Sequence, residues 1–100
     1  MSSQRMVFAK LNYSNRFEEI HKSLAILLEE HFDRVESGLQ GDSWIWVWAA
    51  NRKVAVDTFS AMTYEVESDK PGRHVEEVIE VLNKKFSVEV YAEPELEAHE

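Results

Sequence analysis

The stretch Trp44-Ile45-Trp46-Val47-Trp48 decides how this sequence is interpreted, because it holds all three tryptophans of a 100-residue chain. Large residues alternate along it with a period of two, which is the side-chain period of a β-strand. The tryptophans therefore share one face of the predicted strand, and Ile45 and Val47 share the other. Both faces are apolar, so the strand is either covered on both sides or leaves one apolar face for a partner.

Signals on either side of this stretch predict the order β-α-β-β-β-α-β. The predicted strands cover residues 6–13, 44–50, 53–59, 62–67 and 87–91. The first helix runs to about Ser37, because apolar residues from Phe17 to Val35 recur at spacings of three and four. The second helix covers about 73–86, and its apolar stripe consists of Val75, Val78, Ile79, Leu82 and Phe86.

The separators between the three central strands have the length of tight hairpin loops. Two-residue loops place Trp46 opposite Asp57, and Asp57 opposite Tyr64, all on the tryptophan side of the sheet. In this register the carboxylate of Asp57 points among aromatic rings. A bulge or a three-residue loop would turn the third strand over relative to the other two.

These elements predict an α+β two-layer sandwich that is ferredoxin-like in general plan, with an antiparallel meander and two helices on one face. The helices are expected on the tryptophan side, since that side can receive their apolar stripes. The single domain spans residues 1–92. Residues 93–100 are expected to form a frayed acidic tail, because they contain Pro94 and several glutamates but no Lys or Arg.

Composition narrows the function classes. The chain has 19 acidic and 11 basic residues and a net charge of −8, which disfavours direct binding to nucleic-acid phosphates. Solubility alone explains such a charge, and so does a basic protein partner. No apolar run approaches the ~20 residues of a membrane span, and the N-terminal residues lack the apolar core of a signal peptide. We therefore expect a cytoplasmic protein without membrane contact.

Few residues suggest chemistry. The absence of cysteine excludes thiol catalysis and Cys-ligated zinc, and no glycine-rich phosphate loop or nucleophile turn is present. Glu18 and His21 have the spacing of a helical metal motif, but no second copy exists. We expect no metal and no cofactor. Asp57 is the exception, because a carboxylate buried among aromatic rings suits proton transfer if its pKa is raised by desolvation.

Three function hypotheses follow. The first is a small non-enzymatic protein-binding module of the inhibitor, immunity or antitoxin type, which meets a basic partner through an acidic helix face made by Glu29, Glu30, Asp33 and Glu36. The second is a homodimeric assembly factor, similar to secretion chaperones, that uses a sheet face made by Ile45, Val47, Val54 and Val56. The third is a small enzyme with a pocket around Asp57.

Overall fold

The computed structural model describes residues 5–14, 16–58 and 63–96, which form two helices and one six-stranded sheet. The elements are β1 (Met6–Asn12), α1 (Phe17–His31), β2 (Arg34–Gln40), β3 (Asp42–Ala49), β4 (Arg52–Asp57), β5 (Glu65–Ser68), α2 (Arg73–Leu82) and β6 (Ser87–Leu96). The sheet has the order β2-β3-β4-β5-β1-β6, and each neighbouring pair is antiparallel. The predicted α+β class is confirmed. Neither described helix is both long and apolar enough to span a membrane.

The first helix is shorter than predicted. It ends at His31, and Phe32 is already extended, with φ −132° and ψ 144°. The residues expected as its last turns form β2, which pairs with β3 along its whole length. The prediction was wrong here because Val35 continues the helical spacing of the preceding apolar residues, while its spacing of four residues from Leu39 fits one face of a strand equally well.

The helices cover the sheet face opposite to the predicted one. Ile45, Val47, Val54 and Val56 are each 0% exposed and pack in one core with apolar side chains of both helices. The surface predicted for a partner is thus the protein's own core, and this assignment was wrong. Compact β-branched side chains pack closely beneath two helices, whereas the larger indoles lie on the other face, where all three are partly exposed.

Loop positions set the register. The loop between β3 and β4 is Ala50-Asn51, with positive φ values of 51° and 66°, the pattern of a two-residue type I′ hairpin. It lies one residue earlier than predicted, so Trp46 faces Ala55 and Asp57 faces Trp44. The pairing of β3 with β4 thus moves by two residues from the predicted register. Because two is an even number, the side chains that were predicted to share a face of the two strands still share it.

In the next hairpin the observed pairing differs from the predicted pairing by one residue, which is an odd number. Asp57 pairs with Glu65 instead of Tyr64, so β5 is turned over relative to the prediction. Tyr64 and Val66 enter the core, and Glu65 lies on the same face as Asp57. The predicted loop at positions 60 and 61 lies outside the described residues.

The last strand is longer than predicted. β6 continues to Leu96, and its final residues pair with β1, Glu95 with Val7 and Leu96 with Met6. The first four residues of the expected frayed tail, 93–96, therefore belong to the sheet. Pro94 is compatible with this position because β6 is an edge strand and needs no second row of hydrogen bonds. Positions 97–100 lie outside the described residues.

Candidate binding face on the sheet

The sheet face that carries Trp44, Trp46 and Trp48 is not covered by either described helix. All three tryptophans are partly buried, in contrast to the fully buried residues that alternate with them. We call this surface the tryptophan face. Its neighbours on the flanking strands follow from the pairing and are Arg34, Glu36 and Gly38 on β2 and Lys53, Ala55 and Asp57 on β4.

Cations and neighbouring rings hold the indoles in place. The guanidinium of Arg34 lies 3.8 Å from the ring centroid of Trp48, and the ammonium of Lys53 lies 4.1 Å from that of Trp46. The rings of Trp44 and Trp46 are 4.5 Å apart at an angle of 40°. Such contacts stabilise each pair by about 0.5–1.5 kcal/mol. The indoles thus form an ordered array before any partner arrives.

Gly38 makes room for this array. A Cβ atom built on Gly38 would lie 2.6 Å from three atoms of the Trp44 indole, which is closer than packed carbon atoms approach. The indole therefore lies against the bare backbone of β2. The role of Gly38 was not evident from the sequence, because the first helix was predicted to run to about Ser37, which places Gly38 just after a helix and not in a strand.

Asp57 lies on the tryptophan face and is buried there. Its side chain is 0% exposed, and a carboxylate oxygen lies 3.5 Å from Nη1 of Arg5. The same Nη1 donates a hydrogen bond of 2.8 Å to Glu67, whose side chain is also 0% exposed. This cluster was not evident from the sequence, because Arg5 precedes β1 and meets both acids only through the pairing of the strands.

A cavity of about 410 Å³ adjoins this cluster. Its lining includes Arg5, Arg52, Lys53 and Glu67, but not Asp57. The acidic residues that line this cavity are Glu67 and Asp69, and it does not include Asp57, around which the pocket was predicted.

The far end of the same sheet face is acidic. Burial raises the pKa of Tyr91, and the negative charges of Glu65, Glu95 and Glu89 raise it further. Lys10, which pairs with both Glu65 and Glu89 across the strands, lies 3.8 Å from Glu89. The tryptophan face thus joins an acidic region around Tyr91.

The residues predicted as one acidic helix face do not share an element. Glu29 and Glu30 are exposed near the end of α1, whereas Asp33 lies in the connection that follows it. Glu36 lies on β2, on the tryptophan face, 3.4 Å from Arg34. The prediction of a single helix face was wrong, because α1 ends before Asp33.

A second polar cluster lies under the start of α1. The hydroxyl oxygen of Tyr64 lies 3.1 Å from the carbonyl of Phe17, to which it can donate its one proton, and 2.5 Å from Oγ of Ser43. Nδ1 of His21 lies 2.6 Å from the same Oγ. Burial lowers the pKa of His21 and raises that of Tyr64 to about 12. Because Ser43 is 0% exposed, a substrate has no access to its hydroxyl. This arrangement is structural.

Ser68 and His74 form a third buried pair, with Oγ and Nε2 3.2 Å apart. The Ser68 hydroxyl donates to the carbonyl of Lys53 at 2.9 Å. Its proton is therefore not directed at the histidine, as a serine nucleophile activated by a general base requires. Elsewhere in the described residues, no three His, Asp or Glu side chains are placed to hold a metal ion.

Comparison of this chain with protein-family models, curated proteins and solved structures found no match.

Proposed function

We propose that this protein is a small non-enzymatic binding module that holds a basic protein partner against the tryptophan face of its sheet. The observation that carries the proposal is an ordered array of three partly exposed indoles on a face that neither described helix covers. Tryptophan is among the residues whose truncation costs most at protein interfaces, because a rigid ring covers a large area at little entropic cost.

Charge supports the choice of partner. The chain carries a net charge of −8, and the acidic region around Tyr91 continues from the tryptophan face. A basic protein that covers the indoles would also approach Glu65 and Glu89. Attraction over this surface speeds the encounter and weakens as salt is added. The buried serines, His74 and His21 contribute to folding and not to a reaction.

The coarse α+β architecture is also compatible with two finer proposals. We propose that the order β4-β5-β1-β6 is the ferredoxin-like part of the sheet, and that β2 and β3 extend it. We also propose that the module acts in the cytoplasm.

Affinity capture with matched variants tests the function. The wild type is compared with a Trp46→Ala, Trp48→Ala double variant and with Ile26→Ala, which removes an exposed apolar side chain from α1 (45% exposed). We expect a basic protein to be retained by the wild type and by Ile26→Ala. The double variant should lose it, with affinity reduced about 30-fold or more.

Intrinsic fluorescence then reports directly on the surface, because every tryptophan of the chain lies on this face. Titration of the purified partner should change the emission, and the affinity should fall as salt rises. Equal retention by the wild type and by a double variant that folds normally would refute the assignment of the tryptophan face.

A further inference from the structure

The two edges of the sheet are protected to different degrees. At the β6 edge, the pairing with β1 is irregular, since residues 91–94 lie opposite Phe8 alone. This edge also contains Pro94 and several glutamates. Irregular pairing, proline and charge are the devices that keep an edge strand from pairing with another chain.

The β2 edge has fewer of these devices. All seven of its residues pair in regular register with β3, and the strand contains no Pro and no Lys. Among the described residues, no strand lies on its outer side. A regular strand of this length presents a row of outward backbone N–H and C=O groups to a second strand.

An apolar side chain marks the same edge. Leu39 is 42% exposed, although it lies on the helix-covered side of the sheet with Val35, which is only partly buried. Residues that alternate with these two, Arg34 and Glu36, point to the tryptophan face. The helix side of the β2 edge is therefore incompletely covered within one chain.

We infer that β2 pairs antiparallel with β2 of a second copy of this chain, across a two-fold axis at Ser37. In this register the whole strand is used, Val35 lies opposite Leu39 of the other copy, and Glu36 lies opposite Gly38. Both helix layers then lie on the same side of one continuous sheet. The pairing covers the exposed Leu39 with an apolar neighbour and places no like charges directly opposite.

A neighbouring register is less favourable. With the axis at Glu36, two glutamates lie directly opposite on the tryptophan face, which is destabilising. The axis at Ser37 instead places two exposed, uncharged serines opposite each other, on the helix-covered side of the sheet. The inference does not depend on the proposed function, because the edge of β2 and the tryptophan face are different surfaces.

Cysteine crosslinking tests the pairing, since the natural chain contains no cysteine. Ser37→Cys places two thiols on directly opposite residues, whose Cα atoms are about 4.5–5.5 Å apart in antiparallel strands, within the range of a disulfide. Under mild oxidation it should form a covalent dimer. Ser23→Cys, exposed on α1, is the matched control and should remain largely monomeric.

Leu39→Cys tests the register. Its two copies lie four residues apart along the strands, about 13 Å, so it should not form the disulfide. Crosslinking of Ser37→Cys no faster than Ser23→Cys would overturn the inference. Equal crosslinking of Leu39→Cys and Ser37→Cys would overturn it too.

The unmodified chain gives a second measurement. Analytical ultracentrifugation should find twice the 11.7 kDa mass of the chain, and Ser37→Glu should weaken the dimer about tenfold by opposing two charges at the axis. The dimer should strengthen with salt, because both copies carry a charge of −8. A monomer at all salt and protein concentrations tested would refute the pairing. The Trp46→Ala, Trp48→Ala variant should dimerise normally, which separates this result from a failure of partner binding.

Discussion

Replacing Gly38 by alanine should disrupt the tryptophan array. Gly38 has no side chain, and the Trp44 indole occupies the space where a Cβ atom would lie, at 2.6 Å. The backbone of β2 is extended strand and accepts alanine, and the three atoms nearest to the new Cβ all belong to the indole. Trp44 must move, and its contact with Trp46 at 4.5 Å is then lost or weakened.

The magnitude combines three terms. Overpacking costs about 1–3 kcal/mol, and loss of the indole pair costs about 0.5–1.5 kcal/mol. Alanine in a strand gains about 0.5–1 kcal/mol over glycine, because the unfolded chain is less flexible. We expect Gly38→Ala to lower the free energy of unfolding by about 2 kcal/mol, within a range of about 0.5–4 kcal/mol.

Chemical denaturation measures this loss, and circular dichroism measures the exciton signal of the Trp44 and Trp46 rings, which should decrease. In a Trp44→Ala background, the same Gly38→Ala substitution should be neutral or stabilising, since nothing remains to clash. Gly41→Ala is the control. Gly41 has a positive φ of 77°, and a Cβ atom built on it would meet no atom within 4 Å. The Gly41→Ala substitution should therefore cost about 1–2 kcal/mol through backbone strain and leave the exciton signal unchanged. An equal cost of Gly38→Ala with and without Trp44 would refute the reasoning.

Three other predictions concern the core and its polar clusters. Val56→Ala should lower the free energy of unfolding by about 1.5–3 kcal/mol, measured by denaturation, whereas a loss below about 0.5 kcal/mol would indicate a surface position. Stability should fall as the pH drops below 6.5, the ordinary pKa of His21, because the unfolded chain binds the proton first; an unchanged pH dependence in His21→Gln would contradict this. Tyr64 should ionise near pH 12 in a spectrophotometric titration, and stability should fall between its ordinary pKa of 10.0 and that value; Tyr64→Phe should remove the transition at a cost of about 1–2 kcal/mol, and its persistence would disprove the assignment.

Local pattern was sufficient for most elements. The alternation from Trp44 to Trp48 predicted β3 and its two faces, and the stripe that begins at Val75 predicted α2, which ends at Leu82, earlier than expected. Asp57 was placed on the tryptophan face even though its predicted partners were wrong. A shift of the pairing by two residues preserves the face of every side chain.

The candidate site was less accessible to prediction. Arg34 stacks on Trp48 only because residues 34–40 form a strand, whereas the sequence pattern predicted that the first helix continues to about Ser37. Arg5 reaches Asp57 and Glu67 through the pairing of β1 with β5. Neither contact has a signature in local sequence, because both join residues that lie far apart in the chain.

The sequence by itself determined that β3 has two apolar faces, since side-chain alternation is a property of the strand alone. Only the tertiary structure decided which face the helices cover. That choice depends on how closely two whole layers pack, and Ile45, Val47, Val54 and Val56 fit beneath α1 and α2 without exposed area. The tryptophans were left on the tryptophan face, where all three are partly exposed. There Arg34 lies over the ring of Trp48 and Lys53 lies over that of Trp46.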